Sequence, residues 1–163
     1  MDPFDPGQAE RLVNTYSDLI LRLSFTYLGT TADAEDVCQD IFLKLLARPR
    51  DFAGPEHEKA WIVRAAVNAC KDELRAFRRR AVPLDAVAEA AAPEVPEDRV
   101  LTAVAALPEK YREAIYLHYY EGYSAREIGA MTGRSEGAVA AHLSRGRDKL
   151  RGMLGGDKSE QGL

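Results

Sequence analysis

The sequence predicts an all-α protein of two small helical domains, the second a helix-turn-helix, joined by an acidic linker rich in alanine and proline. Apolar residues recur with the period of an α-helix over most of the chain, and one internal segment has no such period. A short helical pattern, a glycine turn and a longer helical pattern follow near the end. The 163 residues, 46% of them hydrophobic, suffice for two small domains with buried cores.

The first predicted domain, residues 1 to 80, contains three amphipathic helices. The first ends at Gly29, the second spans about residues 33 to 47, and the third spans about residues 58 to 80. In each helix the apolar side chains are spaced so that they share one face. The residues predicted to be buried are Leu12, Tyr16, Leu19, Ile20, Leu23 and Tyr27, then Ala34, Val37, Cys38, Ile41, Phe42 and Leu45, and then Ile62, Val63, Ala66, Val67, Cys70, Leu74 and Phe77.

A linker is predicted at residues 81 to 97, where alanine, proline and acidic side chains show no sustained apolar period. The second predicted domain, residues 98 to 154, opens with a short helix that begins near residue 97. Leu107-Pro108-Glu109 then starts a helix that ends at Gly122, since proline suits the first turn of a helix. The polar, glycine-rich residues 155 to 163 are predicted to form a disordered tail.

A helix-turn-helix is predicted within the second domain. Ser124 and Glu127 match a capping box, in which each side chain satisfies a free backbone N–H at the start of a helix. A glycine turn at residues 132 to 134 follows this short helix, and Ser135 caps a longer helix that reaches about Met153. The residues predicted to pack these helices together are Ile128, Met131, Val139, Leu143 and Leu150.

The charge is unevenly distributed, although the formal net charge of −4 is unusual for a nucleic-acid binder. Residues 1 to 56 carry five basic and ten acidic side chains, whereas residues 57 to 80 carry seven basic and three acidic ones. Residues 81 to 123 are again acidic and residues 124 to 151 again basic. Such banding suits a protein that offers one face to phosphates and another to a protein partner, but solvated helix faces also look like this.

The third helix carries a candidate nucleic-acid surface opposite its apolar face. An indole among cations suits single-stranded DNA, because bases stack on aromatic rings and phosphates attract positive charge. The alternative is a tryptophan that covers the edge of the domain with its ring partly buried. The residues of this stripe are Trp61, Arg64, Asn68, Lys71, Arg75 and Arg79.

The second helix carries a candidate protein-binding face. Asp36, Gln39, Asp40 and Leu43 fall together on the side away from the predicted core. Leu43 is then an exposed leucine surrounded by acidic and amide side chains, which suits contact with a partner helix. A single exposed leucine is also ordinary on a protein surface.

The second helix of the helix-turn-helix is the candidate reader of duplex DNA. Its apolar residues leave a polar side free for the major groove, and the arginines around it suit phosphates. Helical hairpins without DNA-binding function are common, so the turn alone does not decide this. The predicted DNA-binding residues are Arg134, Ser135, Glu136, Ala140, Ser144, Arg145 and Arg147, with Ala141 also on the groove side and Lys149 and Arg151 near phosphates.

Other classes of function are disfavoured by the sequence. His57, His118 and His142 are scattered, and there is no glycine-rich phosphate loop and no metal-ligand spacing, so neither an enzyme, a metal site nor a cofactor is expected. Cys38 and Cys70 lack a paired-cysteine motif and are predicted to be small core residues. No apolar run reaches the roughly 20 residues of a membrane span, and the start lacks a secretory signal, so a cytoplasmic protein without membrane insertion is expected.

Three segments resemble the bacterial RNA polymerase sigma factors, and within them the extracytoplasmic-function (ECF) group that has only the second and fourth conserved regions. DAEDVCQDIFLKLL, residues 33 to 46, is similar to the helix that grips the polymerase clamp. WIVRAAVNACKDELRAFRRR, residues 61 to 80, is similar to the promoter-melting helix. LPEKYREAIYLHYYEGYSAREIGAMTGRSEGAVAAHLSRGRDKL, residues 107 to 150, resembles the helix-turn-helix of the fourth region.

The resemblance implies three partners, of which core RNA polymerase and promoter DNA are the first two. Asp36, Gln39, Asp40 and Leu43 would then face polymerase, which itself makes the phosphodiester bonds. The stripe from Trp61 to Arg79 would face the minus-ten element, and residues 50 to 57 would form a pocket for a flipped-out base. The helix at residues 135 to 151 would enter the major groove at the minus-thirty-five element. An inhibitory anti-sigma factor is implied as a third partner.

The sequence departs from the family pattern in the helix expected to read DNA. Ala138, Ala140 and His142 stand where such proteins often have threonine, a basic residue and arginine. Short side chains cannot make the bidentate contacts that discriminate bases. Recognition of the minus-thirty-five element is therefore expected to use DNA shape, backbone N–H groups and phosphates.

A rival hypothesis is a repressor or activator that works without polymerase and uses the helix-turn-helix alone. Its first domain would serve for dimerisation or sensing. This hypothesis accounts for residues 97 to 151 but leaves Trp61 with its cations, and Asp36 with Gln39, unexplained. Tight promoter binding in the absence of polymerase would favour it.

Overall fold

The structure is a computed structural model that describes residues 6 to 47, 51 to 79 and 99 to 155. Within these ranges every regular element is a helix, which confirms the predicted all-α fold. The chain divides into two compact units, Met1–Pro93 and Glu94–Leu163. The predicted linker, residues 81 to 97, and residues 156 to 163 of the predicted tail lie outside the described ranges.

The first unit contains α1 (Pro6–Leu28), α2 (Thr31–Ala47) and α3 (Pro55–Arg79). α2 begins two residues earlier than predicted, because the Thr30 hydroxyl accepts a hydrogen bond from the Asp33 backbone N–H at 3.2 Å. α3 begins three residues early, at Pro55, a residue suited to the first helical position. Both starts are set by residues that lie before the apolar pattern, so periodicity alone places them too late.

The core of the first unit is formed by the predicted faces of the three helices. Ile20, Leu23, Ile62 and Val63 are completely enclosed. Phe77, predicted to be buried, is instead 37% exposed. Burial along α3 ends at Cys70, so the last turns of this helix extend past the core. The apolar period continues along these turns, but among the described residues of α3 none after Cys70 is buried.

Both cysteines of the chain lie in the first unit. Cys38 on α2 and Cys70 on α3 are buried and form no disulfide. Burial raises the pKa of the Cys38 thiol, and the nearby carboxylate of Glu35 raises it further. These positions confirm the prediction that both are small core residues.

The second unit contains α4 (Arg99–Ala105), α5 (Glu109–Ile115), α6 (Ala125–Thr132) and α7 (Glu136–Leu154). The sequence predicts that α5 runs unbroken to Gly122, but its continuation, Tyr116–Tyr120, is π-helical. All five packing residues predicted for the helix-turn-helix are buried. α7 packs against α5, and α6 packs against the π-helical turn. The buried side chains of α5 and this turn include Ile115, Tyr116 and Leu117.

The turn between α6 and α7 depends on two glycines. Gly133 has a φ of 73°, a left-handed conformation that glycine adopts without strain. Gly129 lies so close to the chain leaving the turn that a Cβ atom would stand 2.5 Å from the Arg134 carbonyl oxygen. The predicted capping box of Ser124 and Glu127 is present, and Ser135 caps α7. Local sequence signals therefore fix the geometry of this turn.

Candidate functional site

The predicted stripe on α3 is accessible along its length. Arg64, Asn68, Arg75 and Arg79 are exposed or partly exposed, and Trp61 and Lys71 are partly buried. Arg75 forms an ion pair with Asp72 one turn earlier on the same helix. An exposed pair of this kind is weak and leaves the guanidinium able to meet another anion. The helix thus presents a cationic surface with Trp61 near its start.

Trp61 belongs to an aromatic cluster that includes residues of the preceding loop. The Phe52 ring lies 6.1 Å from the Trp61 ring, centroid to centroid, and 5.4 Å from the His57 ring, which it meets edge to face. The Ala53 backbone N–H donates a hydrogen bond to His57 Nδ1 at 3.0 Å. His57 Nδ1 is therefore the accepting nitrogen of the ring in this contact. The Trp61 side chain is partly buried, and its ring contacts that of Phe52.

A buried carboxylate near the start of α3 is not predicted from the sequence. Glu58, in the first turn of this helix, is only 7% exposed. It accepts hydrogen bonds from both terminal nitrogens of Arg11, at 2.7 and 3.0 Å, and from the Tyr16 hydroxyl at 2.6 Å. The Arg11 guanidinium holds the pKa of the Glu58 carboxyl below its usual value, against the opposing effect of burial. This arrangement could not be predicted from local sequence, because Glu58 follows Arg11 by 47 residues.

The predicted protein-binding face of α2 is open to solvent. Asp36, Gln39 and Asp40 are exposed, and Leu43 is 59% exposed. The first three line a depression between α2 and α3, and the residues that complete it are Asp33, Val37 and Glu73. An acidic hollow beside an exposed leucine can receive a basic and partly apolar partner surface.

The outer side of α7 carries most of the predicted duplex-binding residues. Glu136, Ala140, Ser144 and Arg145 are exposed. The Ser135 hydroxyl accepts a hydrogen bond from the Ala138 backbone N–H at 3.1 Å and thus serves as the helix cap. Small and short polar side chains in the middle of this face allow close approach of a DNA groove.

Two of the predicted phosphate-binding arginines contact residues that precede the helix-turn-helix. Arg134 Nε donates a hydrogen bond at 3.3 Å to Glu113, which is 1% exposed. Arg147 donates to the hydroxyl of Tyr119 at 3.1 Å. The arginines can be identified from the sequence, but Glu113 and Tyr119 cannot, because neither lies in the helix-turn-helix itself.

His142 lies on the inner face of α7, away from the residues predicted to bind DNA, although the resemblance places it at a position expected to read DNA. It is 9% exposed, and its ring meets Tyr111 edge to face at 5.7 Å. The reason is helical periodicity, since His142 shares the inner face of α7 with Val139 and Gly146. Its Nδ1 atom has no hydrogen-bond partner within the residues described, and burial lowers the pKa of the imidazole.

Metal-binding clusters and membrane spans are both absent from the described part of the chain. It contains no group of three or more histidine, cysteine, aspartate or glutamate residues placed to hold a metal ion. Among the helices of residues 6 to 47, 51 to 79 and 99 to 155, none is both long enough and apolar enough to cross a membrane.

Comparison with family models gives two matches. Residues 12 to 80 match the model described as Sigma-70 region 2, and residues 97 to 150 match the model described as Sigma-70, region 4. The first match includes the α2 face and the α3 stripe, and the second includes the helix-turn-helix.

Two curated relatives are described as ECF RNA polymerase sigma factors. SigW of Bacillus subtilis is 30% identical over 88% of this chain and 87% of its own length. SigE of Mycolicibacterium smegmatis is 32% identical over 93% of this chain, which spans only 63% of that relative.

A solved structure shares the fold. The sigma factor RpoE in complex with the anti-sigma factor NepR, from Bartonella quintana, superposes with a TM-score of 0.71. The match covers 93% of this chain and 98% of that one at 21% sequence identity.

Proposed function

We propose that this chain, which belongs to the sigma-70 family and to its ECF group of RNA polymerase sigma factors, binds core RNA polymerase and directs it to promoter DNA. The observation that carries the proposal is the position of Trp61. Its ring stands with Phe52 and His57 at the start of a helix whose outer side is lined with cations. Such an arrangement can hold unpaired bases and their phosphates at once.

The α3 surface is assigned to the minus-ten element. Trp61 supplies a face for stacking, Arg64 and Arg79 supply charge, and Asn68 can form hydrogen bonds with a base edge. The segment from Phe52, before α3, to His57, in its first turn, is the proposed pocket for a flipped-out base. Strand opening is favoured there because unpaired bases gain stacking partners that paired bases cannot reach.

The α2 face is assigned to core polymerase. Leu43 provides an apolar contact, and Asp36, Gln39 and Asp40 provide polar contacts beside it. An exposed leucine with polar surroundings matches the common anatomy of protein interfaces. Contact with polymerase would explain why Leu43 is 59% exposed, since packing of the first unit's core does not require this leucine at the surface.

The outer side of α7 is assigned to the minus-thirty-five element. Arg145 and Arg147 would bind phosphates beside the groove, and Ala140 and Ser144 would approach the bases closely. The burial of His142 removes one more side chain from base reading. Recognition by DNA shape and phosphates therefore gains support, because few long side chains remain on this face.

An anti-sigma factor is proposed as a regulatory partner. The RpoE structure contains such a partner, NepR. The exposed α2 face of this chain is the surface we expect it to cover, since occupying that face would prevent polymerase binding.

Run-off transcription with core polymerase tests the proposal. Wild type, Gln39→Ala and Trp61→Ala are compared on promoters selected from the source genome. Specific transcripts are expected from wild type and reduced transcripts from both variants. Gln39→Ala should weaken binding to core polymerase, whereas Trp61→Ala should leave that binding intact and impair strand opening, which permanganate reactivity of thymines reports.

A matched pair of variants separates the α2 face from general surface effects. Leu43→Ala and Val13→Ala each shorten an exposed aliphatic side chain of the first unit. Only Leu43→Ala should weaken core binding. Absence of transcripts from wild type, together with tight promoter binding by the protein alone, would instead establish the rival hypothesis of a polymerase-independent regulator.

A further inference from the structure

Tyr119 combines strong exposure with a specific polar contact. It is 51% exposed and lies on the π-helical turn Tyr116–Tyr120, before the helix-turn-helix begins. Its hydroxyl accepts a hydrogen bond from Arg147 Nη1 at 3.1 Å, and its ring packs edge to face on His118 at 4.7 Å. The side chain is therefore oriented toward α7.

The π-helical turn accounts for this orientation. Tyr120, the next residue, stacks on the buried Tyr116 ring, with centroids 5.1 Å apart and planes within 9° of parallel. Tyr120 thus completes the packing of the turn, while Tyr119 extends to α7. Widened turns of this kind occur often at functional sites, because they redirect a side chain that a regular helix would place elsewhere.

The chemistry of the pair suits an anion. The Tyr119 oxygen accepts the bond from Arg147, so its own O–H remains able to donate. The guanidinium has five N–H donors, of which this contact uses one. A phenol O–H and a guanidinium side by side can each donate to one phosphate group, and hydrogen bonds to a charged acceptor are the stronger class.

The position of Arg147 around α7 indicates that this anion is a phosphate of the DNA backbone. At about 100° per residue, Arg147 lies about 20° from Ala140 and about 60° from Ser144, at one border of the proposed groove-facing surface. Arg145 lies about 160° from Arg147, at the opposite border. A helix in the major groove has a phosphate backbone on each side. The two arginines therefore face opposite strands.

We infer that Tyr119 and Arg147 together bind one backbone phosphate of duplex promoter DNA. This inference rests on the proposed function and adds to it a residue outside the helix-turn-helix. The pair contributes affinity and fixes the position of α7 in the groove, but it does not read bases. Tyr119 holds the guanidinium in place before DNA arrives, which reduces the entropy lost on binding.

The test uses the full chain with core polymerase and duplex promoter fragments. Tyr119→Phe removes one hydroxyl and keeps the ring, and Tyr120→Phe is the matched control on the same turn. Tyr119→Phe should weaken promoter binding about fivefold, equally on all minus-thirty-five sequence variants, with the salt dependence unchanged. Arg147→Gln should weaken it more and reduce the salt slope by about one. Tyr120→Phe should bind as wild type does.

Single methylphosphonate substitutions locate the contact. Neutralising the contacted phosphate should weaken binding by wild type and by Tyr120→Phe to the same extent, whereas Tyr119→Phe should lose little further affinity. Equal promoter affinity of wild type and Tyr119→Phe would overturn the inference. So would a loss that depends on base sequence, or one confined to core polymerase binding, which would assign the pair to a protein interface.

If the protein does not act as a sigma factor, the experiment gives a result that differs from failure of the Tyr119–Arg147 inference. If wild type forms no promoter complex with polymerase, the same phosphate scan is made with the protein alone. If binding by the protein alone depends on Tyr119, the phosphate site is supported and the sigma-factor role is rejected. No binding to the duplex would overturn both.

Discussion

Arg11 and Glu58 join the first helix to the start of the third through two parallel hydrogen bonds, of 2.7 and 3.0 Å. The Tyr16 hydroxyl donates a third bond to the same carboxylate at 2.6 Å. Glu58 lies one turn before Trp61, so this buried contact supports the part of α3 that carries the aromatic cluster. The polar contact and the proposed DNA surface are consequently linked through one helical turn.

Loss of the arginine should destabilise the first unit. Arg11→Ala leaves a buried carboxylate without its charged partner, and we expect a loss of about 2 kcal/mol in the free energy of unfolding. The expected loss lies below the range for fully buried pairs because Arg11 is 44% exposed on its side chain. Urea denaturation monitored by Trp61 fluorescence measures it. Arg22→Ala, at an exposed position of the same helix, is the control, and an equal loss there would contradict the prediction.

The same contact predicts acid sensitivity. The pKa of Glu58 is lowered chiefly by its hydrogen bonds with Arg11, so the folded state holds the charged form more strongly than the unfolded chain does. This contribution is complete above the ordinary carboxyl pKa of 4.5 and is lost as the pH falls through the lowered value. Glu58→Gln should therefore be less stable at neutral pH and show a flatter decline below about pH 4.5. Parallel curves of stability against pH for the two proteins would refute this.

His142 predicts a second pH effect, at higher pH and in the second unit. Burial, aided by the charges of Arg134, Lys110 and Arg145 and opposed by Glu113, lowers the pKa of the imidazole below 6.5. The unfolded chain then binds a proton more readily, so stability should fall as the pH drops below about 6.5.

His142→Phe tests this effect, because it keeps an aromatic ring against Tyr111 and removes the titrating group. Circular dichroism should show a smaller decrease in melting temperature between about pH 7.5 and pH 5.5, on the order of a few degrees, than in wild type. His57→Phe, at an exposed position of the first unit, is the matched control. An unchanged pH dependence in His142→Phe would count against the role given to this imidazole.

The close approach at Gly129 predicts a sharp difference between two glycines. In Gly129→Ala the new methyl group would meet the Arg134 carbonyl oxygen, so the turn must shift, at a cost of about 2 kcal/mol. At Gly137, in the first turn of α7, an added Cβ would have no atom within 4 Å, and Gly137→Ala should stabilise by about 0.5 kcal/mol. Chemical denaturation followed by circular dichroism compares them. Similar stabilities of Gly129→Ala and Gly137→Ala would show that the turn accommodates a methyl group at Gly129 despite the 2.5 Å separation from the Arg134 carbonyl oxygen.

The elements that periodicity and capping specify could be predicted from the sequence. The apolar faces of α1, α2 and α7, and the capping box of Ser124 and Glu127, follow from residues within a few turns of one another. The start of α3 is set by Pro55, which precedes the apolar pattern, and the exposure of Phe77 depends on how far the core extends beside the helix; a periodic pattern contains neither.

The parts of the site that escaped prediction are contacts between distant residues. Glu58 looks like an ordinary acidic residue of a first helical turn, and only the fold places Arg11 beside it. Glu113 and Tyr119 lie 21 and 28 residues from the arginines they contact. For His142 the family position pointed to DNA, although its spacing from Val139 and Gly146 already indicates the inner face.

The buried thiols of Cys38 and Cys70 give the first unit a built-in chemical reporter. A thiol reagent reacts with the thiolate at an accessible sulfur, and here both cysteines are enclosed. Labelling therefore requires the helices to separate, and its rate follows the fraction of molecules that are open. Because the chain has two cysteines and both are in this unit, mass spectrometry of the labelled protein would time its opening without an added probe.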